Sequence, residues 1–116
     1  MVHTEGGPLA SVVAGGAVWV ALYEEGAVVR INPSTLRVTD SVPLSAGANG
    51  IVVARGAMWV TADTPGDLWK LDPATGAALG HSVLGDQASL ADFAAGSLWV
   101  ALSGSNQVVR ITPAPD

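Results

Sequence analysis

Cysteine is absent from the 116 residues, and charged side chains make up only 13% of them. Without cysteine the chain offers no disulfide, thiolate metal ligand or thiol nucleophile. Ten acidic residues outnumber five basic ones, and the resulting net charge of −5 repels the phosphates of nucleic acids and of anionic membranes. We therefore expect neither nucleic acid nor a membrane as a partner.

Long apolar runs are also missing, although 49% of the residues are hydrophobic. No stretch reaches the roughly 18 apolar residues of a membrane span, and the opening "MVHTEGGPLA" lacks the basic flank and apolar centre of a signal peptide. A cytoplasmic location is the expectation if the chain is complete as given. The high apolar content at this length predicts a single globular domain with a packed core.

The sequence does contain an internal repeat, whose period is the constant spacing between three tryptophans. The segments "GGAVWVAL", "RGAMWVTA" and "AGSLWVAL" place Trp19, Trp59 and Trp99 in the same setting, and "VVRINP", "LWKLDP" and "VVRITP" follow at a constant distance. Periods of about 40 residues occur in helical repeats and in four-stranded propeller blades. The apolar stretches are short, rich in Val and Trp, and interrupted by Gly, Pro, Asn or Asp, which favours strands.

Each repeat predicts up to four strands, named A to D. The expected strands A are 9–14, 49–54 and 89–94, the strands B are 17–22, 57–62 and 97–102, the strands C are 27–32, 67–72 and 107–112, and the strands D lie within 35–44 and 75–84. Proline ends each strand C because it cannot donate a ladder hydrogen bond. The single domain 1–116 thus divides into repeats at about 5–44, 45–84 and 85–116. The last repeat is incomplete because the sequence stops before its strand D. Residues 1–4 match the end of such a strand D.

The segment "GAMWVTADTPGDLWKLDPATGAAL" (56–79) resembles the blade of YVTN-type β-propellers and of the related streptogramin-lyase-like propellers. The resemblance covers essentially the whole chain and implies an all-β fold of propeller blades. In such a blade Trp19, Trp59 and Trp99 occupy one structural position on strand B and fill the space between blades. Stacking on a ligand is the alternative role for these rings.

The number of repeats predicts assembly. Closed propellers have about four to eight blades, whereas this chain has three repeats and is four residues short of three full periods. A three-bladed wedge exposes two apolar faces, and joining the last blade of one copy to the first of another closes a ring only if the rotation per chain divides a full turn. Two copies give six blades and three give nine, so a homodimer is favoured over a trimer.

Acidic side chains collect on the loops that link strands D to A and B to C. They are a candidate ligand or cation site, or simply a solvated surface: Glu5, Glu24, Glu25, Asp63 and Asp86. Asp92 stands apart, because Val12 and Val52 occupy the equivalent strand A positions. We expect its carboxylate to face the central channel, where it is either hydrated or bound to a ligand.

Catalytic patterns are nearly absent. The resemblance to streptogramin lyases implies a histidine, a glutamate and a bound magnesium near the channel, but His3 and His81 lie at or beside strand D and are expected on the surface. We expect no cofactor and no enzymatic activity. The function expected from the sequence is a self-assembling, non-catalytic propeller scaffold or binding module; the alternatives are a peptide-, sugar- or cation-binding sensor domain using the acidic rim and a streptogramin-lyase-like enzyme.

Overall fold

The structure is a computed structural model that describes residues 2–4 and 6–113. The strands in the described residues follow one another as β1 (Pro8–Ala14), β2 (Ala17–Leu22), β3 (Ala27–Asn32), β4 (Arg37–Pro43), β5 (Ala46–Ala54), β6 (Ala57–Thr64), β7 (Asp67–Leu71), β8 (Ala78–Val83), β9 (Ala88–Ala94), β10 (Ser97–Leu102) and β11 (Gln107–Ile111). No helix in this part of the chain is long and apolar enough to cross a membrane.

The strands form three antiparallel sheets, each running in chain order. Blade 1 consists of β1 to β4, blade 2 of β5 to β8, and blade 3 of β9 to β11. This confirms the predicted all-β fold of propeller blades, with a last blade that has three strands within the described residues. The one clear difference in bounds is at β5 and β6, which extend further than expected because Ala46 pairs with Thr64.

The hairpin turn between the first two strands of each blade explains the glycines that precede each tryptophan. Both central residues have positive φ in all three turns, as a type I′ turn requires: Gly15 and Gly16, Arg55 and Gly56, and Ala95 and Gly96. The second position is always glycine, which adopts this conformation without steric cost. The repeat therefore fixes a tight hairpin at the same place in every blade.

Each sheet has two faces that meet different neighbours. We call the face that carries the Trp19, Trp59 and Trp99 column the forward face, and the face that carries the Val20, Val60 and Val100 column the backward face. On the forward face of blade 1, Trp19 and Val28 pack with Met58, Val60 and Leu71 of blade 2 in one buried cluster. The contact between blades 1 and 2 is therefore a forward face against a backward face.

Blades 2 and 3 meet in the same way. The forward-face residues Trp59 and Leu68 pack with Leu98 of blade 3, and Phe93 adds apolar area at the edge. Successive blades thus bury one apolar face of each sheet, which explains why strands B and C are apolar on both sides.

The first blade has a different cover on its backward face. Val2 packs against the cluster formed by Val20, Leu22, Val29 and Ile31. The residue one period later, Val42, lies on β4 and packs into the contact between blades 1 and 2. Val2 therefore contacts blade 1 much as the outer strand of a preceding blade would.

Candidate functional site

The rim predicted from the loops exists, because the loops from strands D to A and from B to C are hydrogen-bonded to each other. In blade 1, the Tyr23 and Glu24 amides donate to the carbonyl oxygens of Gly7 and Gly6, at 2.9 and 2.8 Å. The same pair of bonds recurs two periods later, from Ser103 to Gln87 and from Gly104 to Asp86. Side chains on these loops therefore share one edge of the molecule.

The acidic residues are spread around this rim. Glu24 and Glu25 are exposed on the turn between β2 and β3, and Asp86 lies in the connection between β8 and β9 with a φ of 56°. Asp63 belongs to β6, and Glu5 lies outside the described residues. Within residues 2–4 and 6–113, no group of three or more His, Cys, Asp or Glu side chains could hold a metal ion.

Among the acidic residues of the rim, Asp63 has the most defined surroundings. The Tyr23 hydroxyl donates a hydrogen bond of 2.5 Å to its Oδ2 atom, and the Thr64 hydroxyl donates one of 2.9 Å to its Oδ1 atom. Tyr23 and Asp63 are equivalent positions of blades 1 and 2, so this bond ties neighbouring blades at the rim. The hydrogen bond and then the negative charge of Asp63 raise the pKa of Tyr23, because both disfavour the phenolate.

Asp92 lies on β9 beside a tryptophan of β10, and its exposure to a central channel stays a prediction. Asp92 pairs with Trp99 across the β9–β10 hairpin, as Val12 pairs with Trp19 and Val52 with Trp59. Cross-strand partners lie on one face of a sheet, so the Asp92 column belongs to the forward face. The Asp92 Oδ1 atom accepts a hydrogen bond of 2.8 Å from the Phe93 amide.

The three tryptophans occupy equivalent positions but differ in their cover. Trp19 and Trp59 are buried, whereas Trp99 is exposed on the forward face of blade 3. Trp19 Nε1 donates to the Pro73 carbonyl of the next blade at 3.2 Å. Trp59 and Trp99 instead donate within their own hairpins, to Ala54 and Ala94, both at 3.1 Å.

Cations accompany two of these rings. The Lys70 ammonium lies 5.4 Å from the centroid of the Trp59 ring, and the Arg110 guanidinium lies 5.9 Å from that of Trp99. Lys70 and Arg110 pair with these tryptophans across neighbouring strands. The basic residue of this repeated position thus lies over the neighbouring tryptophan in blades 2 and 3.

A cluster that the sequence analysis missed lies in blade 2. Asp67, a 2% exposed residue, accepts a hydrogen bond at its Oδ2 atom from the Ser45 hydroxyl and pairs there with His81 Nε2 at 2.6 Å. The His81 ring stacks on Trp69 with 3.9 Å between centroids, and Trp69 Nε1 donates to Ser45 Oγ at 3.1 Å. The Asp67 Oδ1 atom is buried without a hydrogen-bond partner among the described residues.

The repeat held a signal for this cluster. Asp67, Trp69 and His81 stand where blade 1 has Ala27, Val29 and Ser41, so blade 2 departs from the pattern at several positions that meet in space. The histidine does lie at the surface, as expected, but its ring is held by Asp67 and Trp69. The cluster differs from a nucleophile and base pair, because the serine donates to the same carboxylate oxygen that the histidine binds.

Comparisons with known proteins support the fold. No family model and no curated protein matches the sequence. Among solved structures, the chain is similar to a catalytically inactive virginiamycin B lyase from Staphylococcus aureus crystallised with quinupristin (TM-score 0.83, 18% identity, covering 100% of this chain and 41% of that one). It is also similar to the β-propeller domain of Cps50 (Swd1) from Myceliophteria thermophila (TM-score 0.75, 15% identity, 97% and 38%).

A third similar structure is the computationally designed Ika4 protein, with a TM-score of 0.72, 13% identity, and coverage of 90% of this chain and 65% of that one. The chain spans about two fifths of the lyase and of the Cps50 domain. The similar structures include an enzyme and also the WD40 repeats of RRP9 (TM-score 0.69, 10% identity), so the similarity concerns architecture. The chain has the fold of a β-propeller protein.

Proposed function

We propose that this protein is a non-catalytic β-propeller module that completes its ring by binding a second copy of itself, and that its blades are of the YVTN or streptogramin-lyase-like type. The repeat period and the aligned motifs support the blade type. A scaffold or binding role is consistent with the fold, and two copies would give the six blades of a closed ring.

One observation carries the assembly proposal. Equivalent forward-face residues are buried in blades 1 and 2 but exposed in blade 3: Trp19 is 0%, Trp59 7% and Trp99 38% exposed, while Val28 is 0%, Leu68 4% and Val108 66% exposed. The same apolar column that packs against a neighbouring blade twice is left in water the third time. An apolar face of this kind is stabilised by a matching backward face.

The backward face of blade 1 is the matching surface. It has the same columns as the backward faces of blades 2 and 3, which cover forward faces within the chain. A second copy therefore offers a backward face like those that already cover forward faces within the chain. Such a contact joins two different surfaces and is therefore heterologous, so every copy can make it at both ends only in a closed ring.

The experiment is a measurement of mass in solution across a range of protein concentrations. We expect the chain to sediment with twice its 11.6 kDa mass. The substitution Val108→Lys should shift the chain to a folded monomer. Val83→Lys is the matched control, since Val83 is equally exposed at 65% but lies on the outer strand of the middle blade. A concentration-independent monomer of the unmodified chain contradicts the proposal.

A second candidate is ligand or cation binding at the acidic rim. It is favoured by the lack of basic partners, because within residues 2–4 and 6–113 the only close contact between an acidic and a basic side chain joins Asp67 and His81, and Glu24 and Glu25 have none. Calorimetric titration with Mg²⁺ or Ca²⁺ tests it. Binding that is lost in the Glu24→Gln, Glu25→Gln double variant but kept in Asp92→Val would place the site on the rim, and no heat of binding would dismiss it.

A further inference from the structure

The charge at Asp92 interrupts an apolar column at the contact between blades. Val12, its equivalent in blade 1, packs into the buried cluster shared with blade 2. Ile51 of blade 2 packs against the same cluster from the backward face. The internal contact between blades 1 and 2 thus includes an aliphatic residue from each side of one cluster, and strands β1 and β5 are in contact.

The residue equivalent to Ile51 in blade 1 is also polar. Ser11 pairs with Val20 on β2, as Ile51 pairs with Val60 on β6, so both belong to the backward face. Ser11 is exposed and lines an open depression of about 340 Å³ together with Pro8, Leu9, Ala10 and Val20. The two faces left without a neighbouring blade each carry a polar residue in a column where the internal contact is aliphatic.

We propose that Asp92 of one copy accepts a hydrogen bond from the Ser11 hydroxyl of a second copy, so that this pair marks the contact between chains. The inference rests on the proposed assembly and specifies how its two faces match. Desolvating a carboxylate against an aliphatic residue is costly, whereas a hydroxyl donor satisfies it. The Asp92 Oδ1 atom already accepts the Phe93 amide, and a carboxylate has further acceptor sites available for a serine hydroxyl.

The orientation of Trp99 fits this contact. Trp19 is seated against the turn that follows β7, where a Cβ atom on Gly76 would come within 2.8 Å of its Cη2 atom. Blade 1 has Leu36 at the equivalent place, with a φ of 60° and an exposed side chain, so a ring seated as Trp19 is would overlap it. Trp99 Nε1 donates to the carbonyl oxygen of Ala94 in its own hairpin, just as Trp59 Nε1 donates to that of Ala54. In this orientation the Trp99 ring stays clear of the Leu36 turn of a second copy.

The pairing also gives the contact specificity. The backward face of blade 2, if exposed in an opened chain, presents Ile51 to Asp92 and leaves the carboxylate without a donor. The backward face of blade 1 presents Ser11. A contact that leaves the Asp92 charge unpaired is less stable than one that pairs it, so blade 3 selects the backward face of blade 1 over that of blade 2. The ring therefore closes in one register.

A double-mutant cycle on the dimer dissociation constant tests the pair. The variants are Asp92→Val, Ser11→Ile and the two combined, measured by sedimentation at several concentrations, with melting curves to show that each variant folds. We expect Ser11→Ile to weaken the dimer about tenfold or more and Asp92→Val to weaken it a few-fold, as for loss of a hydrogen bond to a charged group. The double variant, which installs the Val and Ile of the internal contact, should return to within about threefold of the unmodified chain.

Asp40→Asn is the matched control, because it removes one negative charge from the exposed outer strand β4 and should leave the dissociation constant within about twofold. If the dimer forms and the two substitutions act additively, the Ser11–Asp92 pair is wrong and the assembly stands. If Asp92→Val alone tightens the dimer, the pair is wrong as well. If the unmodified chain is monomeric at every concentration, both the assembly and the pair are wrong.

Discussion

At the scale of single residues, equivalent positions of the repeat can differ in their exposure to water. Trp59 is buried between blades 2 and 3, while Trp99 has one face in water. Replacing Trp59 with Ala should therefore lower the free energy of unfolding by about 3–5 kcal/mol. Under the proposed assembly, Trp99→Ala should cost clearly less at protein concentrations too low for dimerisation, and should mainly weaken the proposed dimer. Urea unfolding at low and high protein concentration distinguishes the two, and equal costs in dilute solution would contradict the blade assignment.

The Tyr23 hydroxyl offers a direct test of the rim. Its pKa is raised because the phenol donates to Asp63 and because a phenolate would lie beside that carboxylate. The stabilisation is present below the ordinary tyrosine pKa of about 10 and is lost as pH rises through the raised pKa. Tyr23 is the only tyrosine, so phenolate absorbance reports it alone. Asp63→Asn should move the titration midpoint to lower pH, and an unchanged midpoint would show that the bond does not form in solution.

Some residues could be placed from the sequence and others could not. The alignment put Asp92 on strand A correctly, and its exposure to a central channel stays a prediction, because a column of valines indicates burial without saying whether a channel or a neighbouring blade covers it. The pairing of Asp92 with Trp99 decides the face. The contacts of His81 were missed because the residue was considered by itself, whereas its environment is set by Asp67 on the neighbouring strand.

At the scale of strands and blades, the sequence was most informative. Short Val-rich runs ended by proline or glycine predicted the hairpins, because alternation and turn chemistry act within a few residues. The extension of β5 and β6 was not predicted. It depends on the pairing of Ala46 with Thr64 at the ends of the two strands. At the same place in blades 1 and 3, the carbonyl oxygens of Gly6, Gly7, Asp86 and Gln87 accept single hydrogen bonds from loop amides.

The Asp67 cluster gives a prediction about the joint between blades 1 and 2. Asp67→Ala installs the residue that blade 1 has at Ala27, but it leaves Ser45 and His81 without their acceptor, so we expect a loss of about 1–3 kcal/mol in unfolding free energy. Adding His81→Ser should cost little more, because its partner is already gone. Thermal and urea unfolding measure the cycle.

The control for this cycle is Ser82→Ala on the same strand, which is exposed and should change the unfolding free energy by less than about 0.5 kcal/mol. Additive losses from Asp67→Ala and His81→Ser would mean that the two side chains act independently. The stacking of His81 on Trp69 would then be the main contact of the histidine.

At the scale of the whole molecule, the sequence predicted that three blades are too few to close, and the structure adds which two faces lack a neighbouring blade. The forward face of blade 3 carries Trp99, Asp92 and Arg110, and the backward face of blade 1 carries Ser11 beside an apolar cluster partly covered by Val2. Neither face could be identified from composition, because the same columns are buried in the other blades. Position at the end of the row exposes Trp99 and Val108 of blade 3, whereas the blade 1 cluster of Val20, Leu22, Val29 and Ile31 is only 4–9% exposed in the single chain.

The ring itself can be tested by joining two copies in one chain. A four-residue linker between residue 116 of the first copy and residue 1 of the second continues the repeat period, since one copy is four residues short of three periods. If closure needs six blades, the tandem chain should be a monomer whose melting temperature is independent of concentration. The single chain should melt at a higher temperature as its concentration rises, because dimerisation stabilises the folded state by mass action. A tandem chain that associates further, or a single chain whose melting temperature does not change with concentration, would mean that the six-bladed ring is not the closed form.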